Sequence, residues 1–207
     1  MNDFNETKDV QAEEMRRAAQ LLHSGGVVAF PTETYYGLAV DPFNESALAR
    51  LFLLKKRAVG KPVLSLIQRP EDLMLFVRNV PSPYKPLMEK YWPGPLTLVF
   101  EARDGLPALL TGNTGTVGLR ISSHPVARLL VKAFGGPVTA TSANISNCAP
   151  ASTPEEVRQQ LGDGVDMVIT GGETRGRVAS TIVGISQGSL VLLRDGAVPG
   201  ADIFPED

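Results

Sequence analysis

Cysteine and histidine are nearly absent from this chain. Its one cysteine, Cys148, cannot close an intrachain disulfide and belongs to no zinc motif, which fits a reducing compartment. Histidine occurs only as His23 and His124. His23 falls at a helix end and His124 precedes Pro125 at a helix start, where charge–dipole or capping roles suffice. A Ser-His-Asp triad or a histidine-built metal site is therefore not expected. No apolar run approaches the ~18 residues of a membrane span. The N-terminus "MNDFNETKDVQAEE" is acidic and polar, unlike a signal peptide. A cytoplasmic protein with no membrane partner is expected. Aromatics make up 6% and the net charge is −2, so neither base stacking nor a global basic field recruits nucleic acid. There is no "GxxxxGK[ST]" P-loop and no "GxSxG" elbow. "GNTGTVG" (112–118) precedes a strand rather than a helix, so it is not read as a dinucleotide fingerprint.

The 207 residues present are 43% hydrophobic and 20% charged, an ordinary composition for one domain with its own core. Residues 1–14 read as an N-terminal tail (frayed over 1–8) and the start of a first helix, 15–198 as one domain, and 199–207 as a C-terminal tail. Helical spacing of Val10, Met15, Ala18, Ala19 and Leu22 ends at Gly25-Gly26. "VVAF" follows as a buried strand. Asn44 is the N-cap of a helix whose apolar face is Ala47, Leu48, Leu51, Phe52 and Leu54. Strands are predicted at 63–67, 96–100, 116–121 and 137–141, with short helices from "PEDLMLFV" and "YKPLMEKYW" and a longer one from "HPVARLLVKAF". Thr153, Pro154 and Glu156 form a capping box. "DMVIT", "STIVGIS" and "SLVLLR" close the chain as strands, the last two joined by a Gln187-Gly188 turn. The alternation predicts an α/β class: a single domain around a twisted mixed parallel/antiparallel sheet flanked by helices.

Six polar clusters sit at strand ends or in loops: "PTETYY" (31–36), "KKRAVGK" with Lys55, Lys56, Arg57 and Lys61, Thr116 with Arg120, "TATSANIS" with Ser142, Asn144 and Ser146, "RGRVAST" with Arg175, Arg177, Ser180 and Thr181, and Arg194. Each has a structural reading too. Lys55–Arg57 closes a helix, where cations complement the dipole; "TSAN" can be a polar turn; Arg194 can join a surface ion pair. Taken together they favour a site, because ligands of open α/β sheets bind beyond the carboxyl ends of strands. Cations with hydroxyls are the usual grip on phosphates and carboxylates. With no general base in the inventory, the fitting chemistry is nucleotidyl or phosphoryl transfer, which needs alignment and positive charge.

"FPTETYYGLAVD", "LFLLKKRAVGKP", "WPGPLTLVF", "VGLRISSHP", "TATSANIS", "STIV" and "LLRDGAV", in that order, resemble the blocks of the YrdC family, the threonylcarbamoyl-AMP synthases. The resemblance spans about Met15 to Val198 and implies a YrdC-like fold and a nucleotidyltransferase. Such an enzyme joins L-threonine, bicarbonate or CO2, and ATP with Mg²⁺ into threonylcarbamoyl-AMP and pyrophosphate. Its product serves threonylcarbamoyladenosine modification of tRNA, by way of downstream tRNA threonylcarbamoyl-transferase proteins. The motifs imply that Lys55 and Arg57 are catalytic at the phosphates. They imply ATP contacts at Arg57, Lys61, Thr116, Ser142, Asn144 and Arg194, and threonine contacts at Thr34, Arg120 and Ser180, with no protein ligand assigned to the metal. Three residues depart from the family pattern: Tyr35 for valine, Leu66 for histidine and Gly184 for aspartate. "KKRAVGK" is read as a flap. The alternative is a tRNA- or double-stranded-RNA-binding module of the same fold without synthase activity.

Overall fold

The computed structural model describes residues 3–175 and 178–204, with side chains from residue 10 onward. Arg177 of the fifth cluster lies outside the described residues. The chain opens with helix α1 (Asp3–His23), β1 (Val28–Phe30), β2 (Gly37–Ala39), α2 (Glu45–Lys55) and β3 (Ser65–Leu66). A 3₁₀ turn (Pro70–Leu75) leads to α3 (Tyr84–Tyr91), β4 (Leu96–Glu101), α4 (Ala108–Thr111) and β5 (Thr116–Arg120). Then come α5 (Pro125–Phe134), β6 (Val138–Thr139), β7 (Thr141–Ser142) and α6 (Pro154–Leu161). β8 (Met167–Val168), β9 (Thr181–Ser186), β10 (Ser189–Arg194) and α7 (Gly200–Ile203) complete the chain.

The strands form two sheets rather than the one expected: β7-β2-β1-β8 and β10-β9-β4-β5-β3-β6, both mixed. The predicted strand 137–141 breaks at Ala140, which sends its N–H to Leu64 O (2.8 Å). β6 thus stays on β3 while β7 crosses to β2. Period-2 patterning cannot reveal this, because both pieces are buried and the change of partner is a long-range event.

Two cores result. One joins β1, β2 and α2 to β4, β5 and β9 through Ala29, Leu38, Leu48, Leu51, Leu98, Leu119 and Val183. The other packs α1 and α5 on the opposite face, through Met15, Ala18, Leu22, Val126, Leu130 and Val138. Val10, expected on the apolar face of α1, is exposed: α5 has 10 residues against 21 in α1, and the buried positions of α1 begin at Met15. The helix also starts at Asp3, inside the stretch read as a tail. At the other end, Ile203 of α7 is buried where a C-terminal tail was expected.

Local signals are otherwise followed. Asn44 Oδ1 accepts from Ala47 N (3.0 Å) and caps α2. The Gln187-Gly188 turn has positive φ at both residues (50° and 80°), as a tight hairpin of this twist requires. The capping box at α6 is displaced by one residue. Thr153 Oγ1 accepts from Glu156 N (3.2 Å), but the Glu156 carboxylate reaches past it to the N–H of Ser152 (2.6 Å).

Candidate active site

"PTETYY" is the loop of the β1–β2 hairpin, not simply a strand end. Thr32 Oγ1 organises it, donating to Tyr35 O (2.7 Å) and accepting from Thr34 N (3.2 Å). This turn places Thr32, Thr34, Tyr35 and Tyr36 in the lining of a cavity of about 280 Å³. The opposite wall comes from the second sheet: Thr97 of β4, Arg120 at the end of β5, Ser180 and Ile182 of the β9 segment, and Arg194 at the end of β10. Arg57 and Ser142 line this cavity and also a neighbouring basic one of about 200 Å³, which adds Lys55, Lys56, Lys61 and Asn144. Nine of the ten residues singled out from sequence thus line one or both of two adjoining cavities.

Arg120 has the least ordinary environment. It is 3% exposed, and its guanidinium makes no hydrogen bond among the described residues. Its ion-pair partner among the described residues is Glu33, at 3.6 Å, beyond good hydrogen-bond length. Glu33 is itself held from behind by the hydroxyl of Ser122. Burial pulls the Arg120 guanidinium below its ordinary value, against the opposing pull of Glu33. A buried fork of donors with nothing to donate to is costly unless a ligand supplies acceptors.

Arg194 is placed by a β-bulge. The register slips between Leu192 and Arg194, so that Arg194, not Leu193, lies opposite Ile182 on the cavity face. It donates from Nε and Nη2 to Ser180 O (3.0 and 2.8 Å) and from Nη2 to Ser180 Oγ (3.0 Å). Ser180 Oγ also meets Thr97 Oγ1 at 2.9 Å. Burial, then Arg120 nearby, lowers the pKa of Arg194. Arg57 is anchored at the far side by Nη2 donating to Pro62 O (2.7 Å), and burial lowers its pKa as well.

Three of the expected ATP or phosphate contacts are otherwise engaged. Lys55 is 1% exposed, and its ammonium donates to Ser142 O, to Asn144 O (2.8 Å) and to Asn144 Oδ1 (3.2 Å). Burial, with Arg57 beside it, draws its pKa down to about 7. Asn144 uses its amide within the turn, donating to Ile145 O (3.0 Å) and Cys148 O (2.7 Å). Thr116 lines neither cavity: it opens β5 at the end opposite Arg120, and its hydroxyl meets Thr114 Oγ1 at 2.7 Å. Of the three departures, Tyr35 lines the cavity, whereas Leu66 is buried in the second core and Gly184 lies beneath Leu193. Sequence reasoning missed Thr97 and Thr141. Thr97 was detectable as a lone hydroxyl between Leu96 and Leu98 of an apolar strand.

His23 stacks on Phe134 (4.4 Å between ring centroids), and burial lowers the pKa of His124, whose Nδ1 has no hydrogen-bond partner among the described residues; neither lines the two cavities. Among the described residues, no group of three or more His, Cys, Asp or Glu is placed to hold a metal ion.

The family model described as Sua5_yciO_yrdC, telomere recombination, matches residues 20–196. The chain belongs to the Sua5/YciO/YrdC family. It is 34% identical over 200 residues to the threonylcarbamoyl-AMP synthase of Pyrococcus abyssi, covering 97% of this chain and 59% of that one. It is 37% identical to the threonylcarbamoyl-AMP synthase of Vibrio cholerae, covering 89% of this chain and 98% of the relative. A crystal structure of P. abyssi Sua5 complexed with L-threonine superposes with a TM-score of 0.89 at 34% identity, covering 94% of this chain and 58% of that one. The single-domain α/β fold with mixed sheets is the fold of this family.

Proposed function

We propose that the chain is a threonylcarbamoyl-AMP synthase, an L-threonylcarbamoyladenylate-forming nucleotidyltransferase. The observation that carries the reading is Arg120: a buried, unsatisfied guanidinium in the wall of a cavity that also gathers Arg57, Arg194 and several hydroxyls. An amino-acid carboxylate would complete it. The P. abyssi relative bound to L-threonine and the shared synthase name of the relatives supply the substrate. They favour this reading over an RNA-binding module without turnover.

In this reading L-threonine lies between Arg120, Thr34 and Ser180. Its amine, carboxylated by CO2 or bicarbonate, presents a carbamate oxygen. That oxygen bonds to the α-phosphorus of ATP while the bond from α-phosphorus to the pyrophosphate oxygen breaks. The carbamate is already anionic, so no side chain has to remove a proton from the nucleophile at this step. The protein supplies alignment and charge: Arg57 and Lys61 meet the polyphosphate, with Ser142 at the junction of the two cavities and Arg194 at the α-phosphate side. Mg²⁺ enters as part of the substrate, carried on the triphosphate with most of its waters. The product passes to tRNA threonylcarbamoyl-transferase proteins for tRNA modification. No described helix is long and apolar enough to cross a membrane, and a cytoplasmic location is part of the proposal.

Pyrophosphate release from ATP and Mg²⁺ tests the reading. Release should require both L-threonine and bicarbonate; release indifferent to threonine overturns it.

A further inference from the structure

Lys55 closes α2 and is shut away from solvent. It is 1% exposed, although it borders the basic cavity. A lysine ammonium has three N–H donors and no acceptor. All three are matched here: Ser142 O, Asn144 O at 2.8 Å and Asn144 Oδ1 at 3.2 Å. The Lys55 backbone holds the same turn a second time, its carbonyl accepting from Ser146 N (2.8 Å). Asn144 in turn closes the turn on itself through Ile145 O and Cys148 O, and its Oδ1 also accepts from Ser142 Oγ (2.5 Å). Lys55 therefore sits at the centre of a polar knot that joins the end of α2 to residues 142–148. Ser142, at the edge of that knot, faces both cavities.

We propose that Lys55 is a positioning residue that fixes the Ser142–Cys148 turn as part of the site's wall, and that it does not contact the nucleotide phosphates. The proposal rests on the synthase reading for what the wall binds. A phosphate could recruit Lys55 only by taking a donor from one of three protein oxygens, leaving a buried acceptor unpaired. Arg57, Lys56 and Lys61 have no such commitment of all their donors and face the same basic cavity. The arrangement divides labour within "KKRAVGK": the first lysine builds the wall, and the next three cations are free to meet the ligand.

Two measurements test this without relying on turnover. The first is lysine labelling of the wild-type protein with formaldehyde and cyanoborohydride, read by mass spectrometry with and without Mg²⁺-ATP. Lys55 should stay unlabelled in both conditions. Labelling of Lys55 in the ATP-free protein, with protection by ATP, overturns the proposal. Protection of Lys56 and Lys61 reports separately on whether ATP binds there, so failure of the synthase reading is distinguishable. The second measurement is hydrogen exchange of peptides spanning 142–148 in Lys55→Met, without nucleotide. Exchange should accelerate at least tenfold over wild type, with Arg57→Ala leaving it unchanged. Wild-type exchange in a folded Lys55→Met protein overturns the proposal. In pyrophosphate release, Lys55→Met should raise KM for ATP about tenfold through the loosened Ser142 wall.

Discussion

At the scale of single residues, the fates of the cations separate what sequence can show from what it cannot. Arg120, Arg57 and Arg194 were recognisable because they stand where strands or a helix end, and the cavity forms there. Arg120→Lys should raise KM for L-threonine by roughly tenfold to 150-fold and leave KM for ATP within about twofold. The loss of a forked, charge-assisted contact is worth about 1.5–3 kcal/mol. Steady-state pyrophosphate release at varied threonine checks it, and equal changes in both KM values count against the assigned clamp. Lys55 could not be read in the same way. Its acceptors lie 87 and 89 residues downstream, and no local pattern distinguishes a lysine that meets a ligand from one that holds a turn. Thr116 shows the converse: a hydroxyl on the correct strand but at its other end.

Among the elements, helices with strong local signals formed as expected; the predicted strands formed too, one of them split in two, but their partners were not legible in the sequence and β2 (Gly37–Ala39) was not predicted. α2 and the β9–β10 hairpin carry their own local signals, Asn44 and the Gln187-Gly188 turn. The passage of 138–142 from one sheet to the other depends on Leu64 and β2 being in place. Two predictions belong here. The Ser152 backbone N–H and then its hydroxyl hold the Glu156 carboxyl below its ordinary 4.5. A lowered carboxyl stabilises the fold above its unfolded value, and that contribution disappears as pH falls through the folded value. The stability gap between wild type and Glu156→Gln should therefore be constant above about pH 5 and close on acidification below it, as read by thermal melts from pH 3 to 6. The second concerns Gly196, where a Cβ would lie 2.5 Å from Ala179 O and 2.6 Å from Thr181 N. Backbone at that distance must move, so Gly196→Ala should cost about 1–3 kcal/mol in urea unfolding. It should also weaken threonine binding through the displaced Ser180. A variant with wild-type stability and KM would contradict the close approach.

Across the whole molecule, the first core draws on both sheets, including Ala29 and Leu38 from one and Leu98 and Val183 from the other. The sheets should not unfold separately. Trp92, the only tryptophan, packs against that core and donates to Leu96 O (2.7 Å). Its fluorescence and the far-UV circular dichroism should lose their native values at the same urea concentration; two distinct midpoints would show that the sheets are independent units. The cavity lies on the line where these sheets meet, with Thr34 on one bank and Arg120 and Ser180 on the other. A small molecule gripping both banks is a crossbar: it resists sliding of one sheet past the other, and the whole scaffold, out to α1 and α5, should become stiffer when it is in place.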